Sequence, residues 1–297
     1  MNYNNHGKED FSKQLKWSKM NNSDLNAVES LLRENENEYV SACGRFLLYN
    51  VSKDPVWLLR CGKNKINALV INSRSTLLPV LCGKNEIPNT AFPCGILKRK
   101  KIHSVQGLKE EVLVLENVME KLKFKITDIY DYDLMCLDKI QTVKKKLHGV
   151  ENKGIKNLVL KIPRLTDLDA IAPLQAAYEL EEVIPKGSVF SPAASRINIA
   201  NIIANGQVLA AELNGQFVGK INVSAVSFTR YLVGGVYVHP SYRCLGIARL
   251  MAAQFISSLA ENGKGVTLFV KKTNTAARRL YASLGFTIKG DYRITYY

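Results

Sequence analysis

A glycine-containing turn in the C-terminal half of the sequence has the residues that bind a phosphate group. Apolar residues at 236–238 predict a strand, and the turn at residues 243–248 that follows leads into an amphipathic helix. The first N–H groups of a helix lack partners within it and carry partial positive charge, so they attract anions. Gly246 permits close approach of a phosphate, and Arg243 and Arg249 add charge. An ordinary strand–helix turn has the same pattern, so a purely structural role stays open.

A second pattern follows about thirty residues further along the chain. Asn274 precedes a predicted helix over residues 275–284 that carries Ala277 and Tyr281, and Gly285 stands at the position that closes a helix. A tyrosine, with an ordinary pKa near 10, is a proton donor at neutral pH. Tyr281 is therefore a candidate general acid, and its alternative role is that of a core aromatic residue.

Together the two patterns resemble those of the GNAT N-acetyltransferase superfamily. The first resembles its acyl-CoA pyrophosphate motif, Gln/Arg-x-x-Gly-x-Gly/Ala, and the second its motif Asn-x-x-Ala-x-x-Leu-Tyr-x-x-x-Gly-Phe. Both occur in the family's order and spacing, and the resemblance covers about residues 155–297. It also suggests a subgroup that carries an extra N-terminal domain.

The resemblance implies that the strands near 236–238 and 268–270 splay apart and that the pantetheine arm of acetyl-CoA inserts between them. Val238 N–H would then hold the oxyanion of the thioester, Asn274 would bind the pantetheine arm, and Tyr281 would act as general acid near the sulfur. The cofactor-binding residues implied in this way are Val236, Tyr237, Val238, Arg243, Cys244, Leu245, Gly246, Ile247, Ala248, Arg249, Asn274, Ala277 and Tyr281.

The general base is where the sequence departs from the family pattern. Many members carry a carboxylate early in the fourth strand, but residues 231–238 contain none. Either a water chain removes the proton of the amine or a base comes from elsewhere. Glu181 and Glu182, with Glu179 beside them, are the best candidates, although a solvated helix end explains them equally. Glu212 is a weaker candidate, and we interpret His239 as a surface turn residue.

The element pattern predicts an α+β fold (a mixed α/β sheet). Residues 1–150 form a smaller α+β domain of unknown role, and residues 151–297 form the GNAT-like domain in the order β-α-α-β-β-β-α-β-α-β. The polar, lysine-rich residues 144–154 are the expected linker. The first domain is either a wall of the substrate pocket or a degenerate copy of the second fold.

Composition bounds the partners and the compartment. The net charge is +15, shared as +7 and +8 between residues 1–150 and 151–297, which favours anionic ligands. Nucleic acid is not the expected partner, because aromatic residues are not interleaved with the basic runs. No apolar stretch reaches membrane-spanning length, and the polar residues 1–30 predict no secretory signal. Six dispersed Cys residues predict reduced thiols, no metal site and a cytoplasmic location.

The sequence therefore predicts an acyl-CoA-dependent N-acyltransferase that moves an acetyl group from acetyl-CoA to a primary amine by direct attack. The amine-bearing acceptor is either a small molecule or a protein. Two alternatives stay open: a non-catalytic acyl-CoA-binding or regulatory module, and a basic nucleic-acid-binding protein. The edge at residues 292–297 could pair two chains into a homodimer.

Overall fold

A computed structural model describes residues 15–48, 54–61, 65–82, 101–138 and 155–297. The chain divides into two compact units. The first contains Met1–Asp133 and Gly290–Tyr297, and the second contains Leu134–Lys289. The expected linker at residues 144–154 lies outside the described residues.

The described residues contain twelve strands and seven α-helices. The strands are β1 Leu15–Lys19, β2 Val56–Cys61, β3 Lys65–Ser73, β4 Thr76–Val80, β5 Ser104–Leu108, β6 Asp128–Leu137, β7 Leu158–Lys161, β8 Val208–Leu213, β9 Gln216–Val226, β10 Arg230–Val238, β11 Gly265–Lys271 and β12 Thr287–Tyr296. The helices are α1 Leu25–Glu34, α2 Val40–Leu47, α3 Lys109–Lys121, α4 Leu168–Tyr178, α5 Pro192–Ala204, α6 Ile247–Ala260 and α7 Thr275–Ser283. The predicted α+β class is confirmed.

The first unit is built on strands in the order β1-β2-β3-β4-β5-β12. Helix α3 packs against β4 and β5 and buries Val112, Leu115 and Met119. The apolar spacing of this helix in the sequence matches the face that it buries. The last strand, β12, pairs antiparallel with β5, with Tyr292 opposite Leu108.

The second unit is built on strands in the order β6-β11-β10-β9-β8-β7. Helix α6 packs on β8 to β11, whereas α4 packs on β9 and β10. Asn214 and Gly215 join β8 to β9 with φ values of 50° and 82°, the left-handed backbone that a two-residue hairpin of this type requires. The core around α6 includes Met251, Phe255 and Ile256.

The two units do not follow the expected division at residue 150. Residues 134–138 belong to the second unit, and residues 290–297 belong to the first. Both boundaries fall inside a strand, β6 or β12. Non-local pairing causes this difference, because β12 finds its partner β5 about 180 residues earlier in the chain.

Strands β10 and β11 separate after a short paired stretch. Their parallel pairing runs only from Arg230 opposite Gly265 to Val233 opposite Leu268, although both strands continue. Strand β10 also shifts its register against β9 between Gly234 and Tyr237. The predicted splay of the two central strands is thus present in the fold.

Arg230 stabilises the closed end of this opening, where β10 and β11 still pair. Its side chain is buried, and its Nε donates to Thr267 Oγ1 at 2.7 Å. Its Nη2 donates to Val266 O at 3.2 Å and lies 2.8 Å from Asp138 Oδ1. A Cβ at Gly265 would come within 2.9 Å of the guanidinium, so the arginine packs directly over this glycine. The strands are held together where they still pair.

We expect Arg230→Met to lower the free energy of unfolding by about 2–3 kcal/mol, because it leaves buried acceptors without their charged donor. Asp138 is 40% exposed, which keeps the loss below that of a fully buried pair. Urea unfolding followed by circular dichroism measures the change. Arg196→Met, which removes an exposed pair with Asp169, is the control and should change stability by less than about 0.5 kcal/mol. Equal effects of the two substitutions would contradict the role of Arg230.

Candidate functional site

The predicted phosphate turn connects β10 to α6. A short 3₁₀ turn, Pro240–Tyr242, follows the strand, and Cys244 and Gly246 have φ values of 64° and 85°. The first helical hydrogen bond runs from Leu250 N to Gly246 O at 3.1 Å. The earlier N–H groups of α6 are therefore not used by the helical ladder and are available to an anion. Residues 243–246 are exposed, so the turn is open to a ligand.

The residues assigned to the cofactor fall on three consecutive pieces of structure and on α7. Strand β10 carries Val236, Tyr237 and Val238; the turn carries Arg243, Cys244, Leu245 and Gly246; α6 begins with Ile247, Ala248 and Arg249; and α7 carries Ala277 and Tyr281 behind Asn274. As ligands of a cofactor these residues stay a prediction.

Val238 presents its backbone N–H to the opening. It lies opposite Gly219 of β9, and the next residue, His239, donates its N–H to Val218 O at 2.8 Å. Because backbone groups in an antiparallel ladder point alternately toward and away from the partner strand, Val238 N–H points away from β9. That is the side on which β11 has separated. The carbonyl of Val238 accepts a bond from Arg243 Nε at 3.0 Å.

Arg243 lies against the end of β10. Its Nη2 is 2.8 Å from Glu181 Oε2, and its guanidinium lies 5.4 Å from the centre of the Tyr237 ring. It thus links the phosphate turn to the segment that carries the candidate bases. His239 is exposed, and its Nδ1 accepts from Ser241 N at 3.3 Å, as expected for a turn residue.

Two features define the geometry of α7, a cap at its start and a buried tyrosine. Asn274 Oδ1 accepts from Ala277 N at 3.0 Å, which caps the helix. Tyr281 is 6% exposed and meets the Phe286 ring edge-on, with 5.8 Å between centres. Burial, and then nearby Tyr178 and Glu182, raise the pKa of Tyr281. The phenol is therefore protonated at neutral pH, as a general acid must be.

The acidic segment after α4 is a π-helical turn, Glu179–Val183. Its three carboxylates do not act as one cluster. Glu179 Oε1 accepts from Gln175 Nε2 at 2.6 Å and from Asn198 Nδ2 at 3.1 Å. Glu181 pairs with Arg243, and Glu182 lies 3.0 Å from Lys271 Nζ.

Each candidate carboxylate thus has a specific partner. Glu212, the weaker candidate, forms an ion pair with Lys161 on β7. The assignment of Glu181 or Glu182 as general base stays a prediction. In the described part of the chain, no three His, Cys, Asp or Glu side chains are grouped as metal ligands.

Lys220 was not among the predicted site residues. It lies on β9 with 0% exposure, and its Nζ donates to Asn222 Oδ1 at 2.9 Å and to Gly235 O at 2.8 Å. The Nζ atom also lies 4.7 Å from the centre of the Tyr178 ring. Burial lowers the pKa of Lys220 to about 7, although the carboxylate of Glu179 opposes this shift.

A signal for this site exists in the sequence. Lys220 and Asn222 are two residues apart on one strand, so they share a face within the apolar run at residues 217–223. A polar pair on an otherwise apolar strand indicates a buried polar contact. Because lysine side chains usually lie in solvent, this indication of a buried contact is easily overlooked.

Gly235 completes the arrangement around Lys220. Its φ is 59°, and a Cβ there would lie 1.8 Å from Asn222 Oδ1 and 2.8 Å from Lys220 Nζ. Its N–H bonds to Tyr178, whose pKa burial raises to about 12. The register shift of β10 is therefore filled by polar contacts that only glycine permits.

A family model described as the acetyltransferase (GNAT) family matches residues 174–286. The chain carries a GNAT acetyltransferase domain. The matched segment begins within α4 and ends just before β12, so it contains both motifs, the opening between β10 and β11, and Lys220.

Solved structures share the fold of this GNAT domain and of the rest of the chain. A Drosophila protein is 12% identical, with a TM-score of 0.63, over 95% of this chain and 98% of its own. A GCN5-related N-acetyltransferase from Sphaerobacter thermophilus is 15% identical, with a TM-score of 0.60, over 95% of each chain. A tandem GNAT protein from the clavulanic acid biosynthesis pathway is 12% identical, with a TM-score of 0.58, over 95% and 97%.

At these identities the likeness shows the fold alone. It extends over nearly the whole of each chain, so the region before the GNAT domain has counterparts in these structures. A sequence search of curated proteins gives no significant match. Within the described ranges, no helix combines the length and the apolar character needed to cross a membrane.

We expect Gly235→Ala to destabilise the GNAT domain by more than 3 kcal/mol, since the methyl group overlaps Asn222 and the backbone φ is unfavourable for alanine. Gly215→Ala is the matched control, because its φ of 82° is also left-handed but open space surrounds the missing Cβ. That control should lose only about 1–2 kcal/mol. Urea unfolding midpoints compare the two variants. Similar losses would show that the contacts around Gly235 are not tight.

Proposed function

We propose that this protein is an acetyl-CoA-dependent N-acetyltransferase that acts by direct attack of a primary amine on the thioester. The observation that carries the proposal is the opening between β10 and β11. On one strand the N–H of Val238 points away from β9 toward this opening, and β10 leads directly to the turn at the N-terminus of α6. An extended pantetheine arm fits such an opening because it can take the place of the missing strand partner.

The turn before α6 suits the pyrophosphate of the cofactor. The N–H groups of Ile247, Ala248 and Arg249 precede the first helical hydrogen bond, and the helix dipole favours negative charge there. Gly246 has no side chain to cover these groups. The small side chain of Ala248 leaves the approach open.

The chemistry requires a neutral amine, a stabilised oxyanion and a protonated leaving group. The amine nitrogen attacks the thioester carbon, and the carbonyl oxygen becomes negative next to Val238 N–H. The C–N bond is kept, the C–S bond breaks, and the sulfur takes a proton from Tyr281. The amine loses one proton, and water or a carboxylate of the turn at Glu179–Val183 accepts it.

An amine acceptor agrees with the charge of this region. Glu181 and Glu182 bring negative charge to the segment after α4, although their present partners are Arg243 and Lys271. A cationic amine would be attracted to carboxylates that it can share with these residues. Small molecules and protein amines meet this condition equally.

A non-catalytic acyl-CoA-binding module is the second candidate. The observation that favours it is that β10 carries no carboxylate while the nearby acidic side chains are engaged by cations or amides. Release of free thiol from acetyl-CoA in the presence of a panel of amines separates the two. Binding of acetyl-CoA without thiol release from any amine would favour the module.

We expect Gly246→Glu to weaken acetyl-CoA binding at least tenfold, because a carboxylate would stand where the pyrophosphate sits. Isothermal titration calorimetry measures the Kd. Gly263→Glu is the matched control, since its φ of 71° is also left-handed, its surroundings are open and it follows the far end of α6. Both variants have the same backbone penalty, so only the first should lose affinity. Normal binding by Gly246→Glu would contradict the placement of the cofactor.

We expect Tyr281→Phe to lower kcat by about 10²-fold or more, in the range typical of a lost general acid. The Kd for acetyl-CoA should stay within about twofold of wild type, because the ring and its packing are retained. Tyr231→Phe, on β10 near the closed end of the opening, is the control and should leave kcat unchanged. An undiminished kcat in Tyr281→Phe would remove this residue from the mechanism.

A further inference from the structure

Lys220 is a buried cation that the proposed chemistry does not use, and its surroundings suit an ammonium group. The three positions around Nζ are occupied by Asn222 Oδ1, Gly235 O and the face of the Tyr178 ring. The two oxygen atoms accept hydrogen bonds, and the ring face attracts a positive charge. A neutral amine would direct its lone pair at one of these acceptors.

The contact with Gly235 places Lys220 at the irregular part of β10. The ladder between β9 and β10 loses its register between Gly234 and Tyr237, and the Gly235 carbonyl lies inside this gap. The bond from Lys220 Nζ therefore replaces a ladder bond. Val238, whose N–H faces the opening, comes three residues later on the same strand, and Tyr237 is the direct partner of Lys220 across the ladder.

We propose that Lys220 is a positioning residue for acetyl transfer, in which its ammonium group holds the Gly235 carbonyl so that Val238 N–H is aimed at the thioester oxygen. The buried positive charge also lies beside the strand on which the oxyanion forms and favours that negative charge. The inference rests on the proposed function and adds a residue to it.

The geometry argues against Lys220 as the base that deprotonates the amine. Its hydrogen-bonding directions are already taken, and its exposure is 0%, so an acceptor nitrogen has no access to Nζ. Tyr178 and Glu179 influence or contact Lys220 directly, and Glu182, Tyr281 and the Lys271 partner of Glu182 lie beyond Tyr178.

The role of Lys220 can be tested by the pH dependence of the ratio between the kcat of wild type and that of a variant without the ammonium group. Lys220→Met keeps the length and the apolar stem but removes the charge and the donor. We divide kcat of wild type by kcat of Lys220→Met at each pH from 5.5 to 9 (roughly one and a half units or more on either side of the Lys220 pKa), so that ionisation of the acceptor amine cancels. Thiol release at saturating acetyl-CoA and amine gives both values.

We expect a ratio of about 10 to 100 at low pH, below the 10²–10³ that loss of a direct oxyanion donor causes. The ratio should fall as pH rises through about 7, because Lys220 loses its proton and the wild type then lacks the charge as well. The Kd for acetyl-CoA should change less than about twofold. Lys161→Met is the matched control, since Lys161 likewise lies over an aromatic ring, that of Phe217, but on β7 and in an ion pair with Glu212. Its ratio should stay near one at every pH.

The other outcomes overturn the inference in distinguishable ways. A large but pH-independent ratio would mean that Lys220 only supports the fold, and a ratio that rises with pH would make it a base. A wild type that transfers acetyl to no amine would overturn the proposed function and this inference together.

If Lys220→Met does not fold, the variant Asn222→Asp tests the role of Lys220 instead. The new carboxylate should raise the pKa of Lys220, so the ratio of Asn222→Asp to wild-type kcat should increase above pH 7, and a constant ratio would overturn the proposal.

Discussion

The parallel pairing of β10 with β11 stops after four residue pairs, and the site depends on this interruption. A sheet with continuous pairing would use every backbone donor of its central strands internally. Because pairing ends at Val233 and Leu268, the backbone N–H of Val238 points away from β9 into the opening. The chain must then stabilise two strands that lack part of their ladder.

Buried cations stabilise both ends of the separation. Arg230 bonds across to β11 at the closed end, and Lys220 bonds to the displaced carbonyl of Gly235 at the irregular end. Both lose hydration on burial, which is unfavourable unless polar partners replace the water. Backbone carbonyl groups provide part of this replacement, Val266 O for Arg230 and Gly235 O for Lys220. The interruption and the buried charges therefore support one another.

Local sequence predicted the features that depend on few neighbours. The strand–turn–helix order around Gly246 and the helix that carries Tyr281 and ends before Gly285 were expected from residue types and spacing alone, and both are present. Features that depend on distant partners were not predictable in this way. The pairing of β12 with β5 and the burial of Lys220 under Tyr178 require contacts between residues far apart in the chain. The sequence placed Glu181 and Glu182 at a helix end, but it could not predict their ion pairs with Arg243 and Lys271, because these partners lie far away along the chain.

The division of β6 and β12 between the two compact units has a consequence for the separability of the protein. A fragment cut within residues 144–154 would retain the motifs but leave behind residues 134–138, which belong to the second unit. The same cut would remove residues 290–297 from the strands with which they pair. The order of the motifs along the chain therefore does not show whether the C-terminal half can fold on its own. Each compact unit contains a segment from the other half of the sequence, residues 290–297 in the first unit and residues 134–138 in the second. Neither half of the sequence therefore contains a whole unit.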